Sequence, residues 1–174
     1  MAFTVQDDTG TEANANAYIS VLELKDYWAD RGDILLDSDA VLQAMIVEAT
    51  QYIDFRYRYK GTKLEGRDQT TQFPRYLLYD LNDDLVEGIP REVKEACAEY
   101  ALASQTIDLT GTSTTGSGTI IEESSKVGPI EKSVKYKDTR QNSFATYAVV
   151  QVADNLLLNS GFVLNIGGPI PIRG

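Results

Sequence analysis

The segment Tyr52-Ile-Asp-Phe-Arg-Tyr-Arg-Tyr-Lys60 alternates aromatic rings with positive charges. In a nucleic-acid-binding protein that pattern supplies stacking platforms beside phosphate contacts. On a helix the same residues have a plainer role. Tyr52, Phe55 and Tyr59 then align as one stripe, while Arg56, Arg58 and Lys60 complement the negative end of the helix dipole. The helix-end role is the favoured one. Other reactive chemistry is scarce. The chain has no histidine, which removes Ser-His-Asp and Cys-His catalysis and every histidine-containing metal site. The single Cys97 builds neither an internal disulfide nor a thiolate metal site, and in REVKEACAEYALA it falls on the apolar side, as a small buried hydrophobe. Carboxylates are plentiful, but LNDDLVEG lacks the alternating ligands and central glycine of a calcium loop. Asp80, Asp83 and Asp84 read as a solvated turn. The expectation is a protein with no catalytic residue, no metal and no cofactor.

Net charge is −10, from 26 acids and 16 bases. The first 89 residues hold 17 of the acids and 8 of the bases. Such a balance disfavours gripping nucleic acid, where neutralising phosphates dominates affinity. Hydrophobic content of 43% across 174 residues suits one domain with a real core. No apolar run is long enough to span a bilayer. The opening MAFTVQDDTG has neither the basic region nor the apolar stretch of a signal peptide, so a cytoplasmic site of synthesis and use is expected.

Four helices and one hairpin must position whatever functions. Ser20 caps the first helix and Glu23 completes a capping box; Val21, Leu24 and Trp28 share a face beside Tyr27, and Gly32 ends the element. The second helix is predicted from Asp37 or Ser38 to about Lys60, with Leu42, Met45, Ile46, Ala49 and Ile53 facing inward and Gly61 ending it. Residues 62–88 read as irregular. Pro90 opens a third helix reaching about Gln105, its inner face made of Ile89, Val93, Ala96, Cys97, Tyr100 and Ala101. TIIEESSKV and IEKSVKY flank Gly128-Pro129 as a hairpin over about 119–137. A fourth helix is expected over Thr146 to Asn159, with Val149, Val152, Ala153 and Leu156 inward and Gly161 behind it. The fold class is therefore mainly α: a small helical bundle of about four helices with an inserted β-hairpin and an extended C-terminal tail. Residues 1–164 make one domain and 165–174 the tail.

Two segments have no core to join. Thr110-Gly-Thr-Ser-Thr-Thr-Gly-Ser-Gly-Thr119 lacks any large side chain; Thr110, Gly111, Thr115, Gly116 and Gly118 make it a loose loop, or one that orders against a neighbouring subunit. The tail carries Ile166, Gly167, Gly168, Pro169, Ile170, Pro171, Ile172 and Arg173. Its isoleucines are costly to leave in water, a composition suited to docking on another chain by strand addition or groove insertion.

Four motifs occur in order: ANANAYISVLELKDYWADRG (with Tyr18, Ser20, Trp28 and Gly32), ATQYIDFRYRYKG (with Tyr52), Phe73-Pro74-Arg75, and GIPREVKEACAEYAL (with Pro90). Together with the hairpin around VGPIEKSVKY, they resemble the head–tail connector, or adaptor, proteins of tailed bacteriophages that carry the label "DnaT-like". One departure is Phe73, where that family is expected to have tryptophan. The resemblance implies a virion protein of the phage neck, made in the host cytoplasm, that assembles into a ring, commonly dodecameric, under the portal protein. It implies a platform for a stopper or tail-completion protein, with double-stranded DNA passing through the channel without specific binding and no membrane contact. The acidic balance suits such a channel wall. The rival expectation is a single-stranded-DNA-binding replication protein of the primosome type, which the same label suggests and the Tyr52–Lys60 cluster supports. A carboxylate-dependent hydrolase would rest on nothing beyond abundant Asp and Glu.

Overall fold

In the computed structural model the described residues are 2–109, 120–126, 131–136 and 150–166. Four helices and six short strands are placed there: α1 (Val21–Ala29), α2 (Asp39–Arg56), β1 (Tyr57–Tyr59), β2 (Thr62–Lys63), β3 (Arg75–Tyr76), α3 (Arg91–Ala103), β4 (Ile120–Lys126), β5 (Glu131–Tyr136), α4 (Gln151–Asn159) and β6 (Val163–Ile166). The strands make three separate antiparallel pairs, β1 with β6, β2 with β3, and β4 with β5. The architecture is thus mixed helix and small sheet, and the expectation of a mainly α bundle is corrected accordingly.

The chain divides into two compact units, one of residues 1–110 with 147–174, the other of residues 111–146. In the second unit β4 and β5 pair from Ile120↔Tyr136 to Lys126↔Glu131, the hairpin read from the alternating sequence. Its Gly128-Pro129 turn, the Thr110–Thr119 loop with Gly111, Thr115, Gly116 and Gly118, and the tail from Gly167 onward lie outside the described residues.

The first unit is built around α2. Leu42, Met45, Ile46, Ala49 and Ile53 are all buried along it, the stripe expected from their spacing, and Tyr52 is buried with them. α3 packs on this stripe through Val93, Ala96, Cys97, Tyr100 and Ala101, all buried. Pro90 stands one place before the first helical residue, as the cap rather than inside the helix. α1 carries the capping box in full: Glu23 N donates to Ser20 Oγ (3.2 Å) and Ser20 N to Glu23 Oε2 (2.7 Å). Its Trp28 donates to Ala98 O (3.3 Å), tying α1 to α3. Gly32 takes φ +87°, the left-handed turn that releases the chain after the helix.

Two helix bounds differ from expectation. α2 ends at Arg56, four residues early, because Tyr57, Arg58 and Tyr59 take up a buried–exposed–buried strand alternation. That strand is held from afar, with Tyr57 opposite Ile166, Arg58 opposite Asn165 and Tyr59 opposite Val163. Ile166, expected in a docking tail, is therefore the last residue of a strand inside the fold. α4 begins at Gln151, and its inward face is Ala153, Asp154 and Leu157; Val152 is 55% exposed instead of buried. The reason is a polar residue at the core, Asp154, whose partners lie on α2, β1 and α3. The segment 62–88, expected to be irregular, contains β2 and β3.

Candidate functional site

Tyr52–Lys60, where the sequence favoured a helix end over stacking platforms beside phosphate contacts, is divided by the structure. Tyr52, Tyr57 and Tyr59 are buried, at 2%, 3% and 5% exposure. Arg56 is buried too. Its Nη2 meets Asp154 Oδ2 at 2.9 Å and its guanidinium also donates to the Tyr52 hydroxyl. Asp154 Oδ1 accepts from Tyr57 OH (2.7 Å) and from Tyr100 OH, and the two tyrosine hydroxyls are 2.9 Å apart. Burial beside this carboxylate raises the pKa of Tyr57 and Tyr100. This cluster is a clamp joining α2, β1, α3 and α4. The expectation that Arg56 complements the helix dipole at the surface is corrected: the guanidinium is spent on an internal ion pair. The proposed Tyr52–Phe55–Tyr59 stripe is broken as well, since Phe55 is 75% exposed. Of the nine residues, Phe55 and Arg58 are the ring and the cation that face solvent fully.

Beside Phe55 lies a cavity of about 250 Å³. Its walls come from three stretches of chain: Asn14, Ala15 and Asn16; Thr50, Gln51, Asp54 and Phe55 on α2; and Thr70, Thr71 and Gln72. Asn14, Gln51 and Thr70 are exposed. The lining is therefore amide, hydroxyl, one carboxylate and one ring, with no cation.

Asp54 is fixed by its neighbours. The Tyr18 hydroxyl donates to Asp54 Oδ1, and Gln72 N donates to both carboxylate oxygens at 3.3 Å. Tyr18 OH in turn accepts from Gln72 N (3.0 Å) and Phe73 N (3.2 Å). Burial pushes the Asp54 pKa up to about 7; the Tyr18 and Gln72 hydrogen bonds and the charges of Lys63 and Arg75 pull the other way and lose.

The Phe73-Pro74-Arg75 motif holds this wall in place. Phe73 is fully buried, with its ring edge-on to Tyr59 at 4.6 Å and to Tyr18 at 6.0 Å between centroids. Arg75 donates to the carbonyls of Lys60 (2.6 Å), Gly61 (2.8 Å) and Gln72 (3.0 Å), pinning the turn after β1 to the 72–75 stretch. Pro74 is buried beside them. Of the other residues the resemblance singled out, Tyr18, Tyr52 and Phe73 are buried, Ser20 caps α1, Trp28 bonds Ala98 O, Gly32 follows α1 and Pro90 precedes α3.

Sequence reasoning missed Asp54, Phe55, Asn14, Gln51, Thr70 and Gln72 as one site. A signal for Phe55 was present. Extending the inward spacing 45–49–52 by four residues reaches Arg56 and leaves Phe55 about a quarter turn off that line, on the flank of the helix. Cys97 behaves as expected: it is buried with its thiol pushed up to about 12. Among the described residues no three His, Cys, Asp or Glu side chains come together to hold a metal, and no helix is long and apolar enough to cross a membrane.

A family model described as "Putative DnaT-like ssDNA binding protein" matches residues 1–166. No curated protein and no solved structure matches the chain. The family match overturns the reading of a phage head–tail connector. With it go the ring, the portal and stopper partners, and a channel through which DNA passes without specific binding. The reason is visible in the fold: the motifs that carried that resemblance are a helix cap, a helix end, a wall brace and a proline before a helix. They specify a scaffold and say nothing of a channel. By a match that spans nearly its whole length, the chain belongs to this DnaT-like family.

Proposed function

We propose that this chain binds single-stranded DNA through a stacking-led site at the C-terminal end of α2. The observation that carries the reading is Phe55, a ring left 75% exposed beside a cavity lined with amides and hydroxyls. An unpaired base offers a π-face to a ring and polar edges to amides, whereas bases in a duplex hide both. Arg58, exposed on β1 three residues further on, supplies a phosphate contact. The family's description agrees with this reading. Net charge is the opposing term. An acidic chain gains little from phosphate neutralisation, so the binding is modest and comes from stacking and hydrogen bonds rather than from a basic groove.

The test is fluorescence anisotropy of a labelled twelve-residue oligothymidylate at low salt, with the intact chain and with Phe55→Ala. One lost base–aromatic stack is worth about 1–3 kcal/mol, roughly 5- to 150-fold in Kd. Because Phe55 buries little, the variant keeps wild-type thermal stability. Equal affinity of the two proteins, or no binding by the wild type, refutes the proposal.

A further inference from the structure

We propose that the cavity beside Phe55 is a nucleobase subsite selective for guanine, with the Asp54 carboxylate accepting from the base's N1–H and N2–H donors. The inference rests on the single-strand reading above and goes further by naming the base. At about 250 Å³ the cavity is smaller than the ~300–1,000 Å³ of drug-sized sites and suits one flat heterocycle. Its one charged wall group is Asp54. An ionised carboxylate is acceptor-only, and among the four bases guanine alone puts two donors side by side on its pairing edge. Thymine's single N–H sits between two carbonyl oxygens that a carboxylate repels. Cytosine and adenine each set an amino group beside a ring nitrogen that is itself an acceptor.

The carboxylate is held for such a role. Tyr18 OH and Gln72 N fix Oδ1, while Oδ2 takes a 3.3 Å bond from Gln72 N and keeps lone-pair capacity. Phe55, the next residue, provides the stacking surface. Keeping Asp54 here works against the fold, since burial disfavours its charged form. A half-buried carboxylate whose surroundings disfavour its charge, set in the wall of a cavity, is a mark of a functional site.

The groups that face Asp54 are Tyr18 before α1, Tyr59 on β1, Lys63 on β2 and Arg75 on β3. Both tyrosines are pushed well above their ordinary range by burial, and Arg75 is a cation. The carboxylate is therefore the member of the group that changes charge near neutrality.

The experiment compares labelled thymidine 12-mers carrying thymine, guanine or hypoxanthine at one central position. At pH 8 the guanine oligonucleotide is expected to bind about tenfold tighter than the all-thymine one, within the range of a good two-point base contact. Hypoxanthine, which lacks the 2-amino group, falls between them. The preference shrinks towards unity at pH 5.5, and in Asp54→Asn the guanine and thymine oligonucleotides bind alike. If Asp54→Asn does not fold, the hypoxanthine and pH comparisons on the unaltered chain decide. Equal binding of guanine and thymine oligonucleotides at pH 8 overturns the guanine subsite and leaves the single-strand reading standing. Absence of binding to every oligonucleotide overturns both.

Discussion

Replacing Asp154 by leucine removes the carboxylate on which three donors converge. Arg56 and Asp154 are 6% and 9% exposed, and Arg56 Nη2, Tyr57 OH and Tyr100 OH all converge on the Asp154 oxygens. The tyrosines retain each other at 2.9 Å. The guanidinium keeps the Tyr52 hydroxyl, but its charge loses the anion that offset its burial. Breaking a buried pair from one side costs about 3–5 kcal/mol, a large share of a typical stability of about 5–15 kcal/mol. For a chain of this size that lowers Tm by roughly 6–20 °C. Arg56→Met, which strands the carboxylate instead, is expected to cost a similar amount. The double variant Arg56→Met/Asp154→Leu buries no uncompensated charge, so it recovers at least half of the summed single losses. Urea unfolding of the four proteins, followed by circular dichroism, gives the cycle directly. A single-variant cost below about 1 kcal/mol, or losses that simply add in the double variant, would refute the view that this pair clamps α4 to the end of α2.

Two further outcomes are expected. Asp54 has a folded pKa of about 7 against 3.8 for the free group, so the stability it contributes is fully present below pH 3.8 and is lost as pH rises through 7. At about 1.4 kcal/mol for each pH unit crossed, the wild type loses at most about 4 kcal/mol relative to Asp54→Asn between pH 4 and pH 8. Urea midpoints for both proteins at pH 5 and pH 8 read this out, and a gap that does not change with pH would contradict it. Binding of oligothymidylate is expected to weaken only gently with salt. With Arg58 as the phosphate contact, log Kd against log salt has a slope near 0.7, the value for one neutralised phosphate on a single strand. A slope of about 3 or more would mean that several unassigned cations contact the backbone.

What the sequence revealed followed the range of the interactions. The capping box of Ser20 and Glu23 and the inner face of α3 depend on residues three or four apart, so both were legible. The β4–β5 hairpin was legible for the same reason, its strands being neighbours in the chain. The end of α2 was not. Tyr57–Tyr59 satisfies a helix stripe and a strand alternation alike, and β6, about 100 residues away, decides between them. The inner face of α4, where Asp154 is buried, went unread for a related reason. An aspartate in a short helix reads as solvent-facing, and only Arg56, Tyr57 and Tyr100 from three other elements make its burial tolerable. The site suffered most, because its walls come from residues near 15, 54 and 71 that no local pattern links.

The net charge of −10 argued against a nucleic-acid role, and the family match runs the other way. Total charge sets the long-range field, which governs encounter rate and non-specific adhesion. It does not set what one base meets on contact. Of the cations in the 56–75 stretch, Arg56 is spent on Asp154 and Arg75 on backbone carbonyls, so neither was ever available to phosphate. Counting bases overstated the electrostatic case for binding, just as counting acids overstated the case against it. Within Tyr52–Lys60 the ring of Phe55 and the guanidinium of Arg58 stay exposed, and Phe55 lines a polar cavity. A ring and a hydrogen-bonding cavity discriminate an unpaired strand from a duplex without a basic groove. On the proposed reading a repulsive field would suppress the duplex further, because a duplex carries twice the phosphate charge and exposes no free base face. Acidity is therefore compatible with the single-strand binding proposed above, in which the field would exclude what the site does not select.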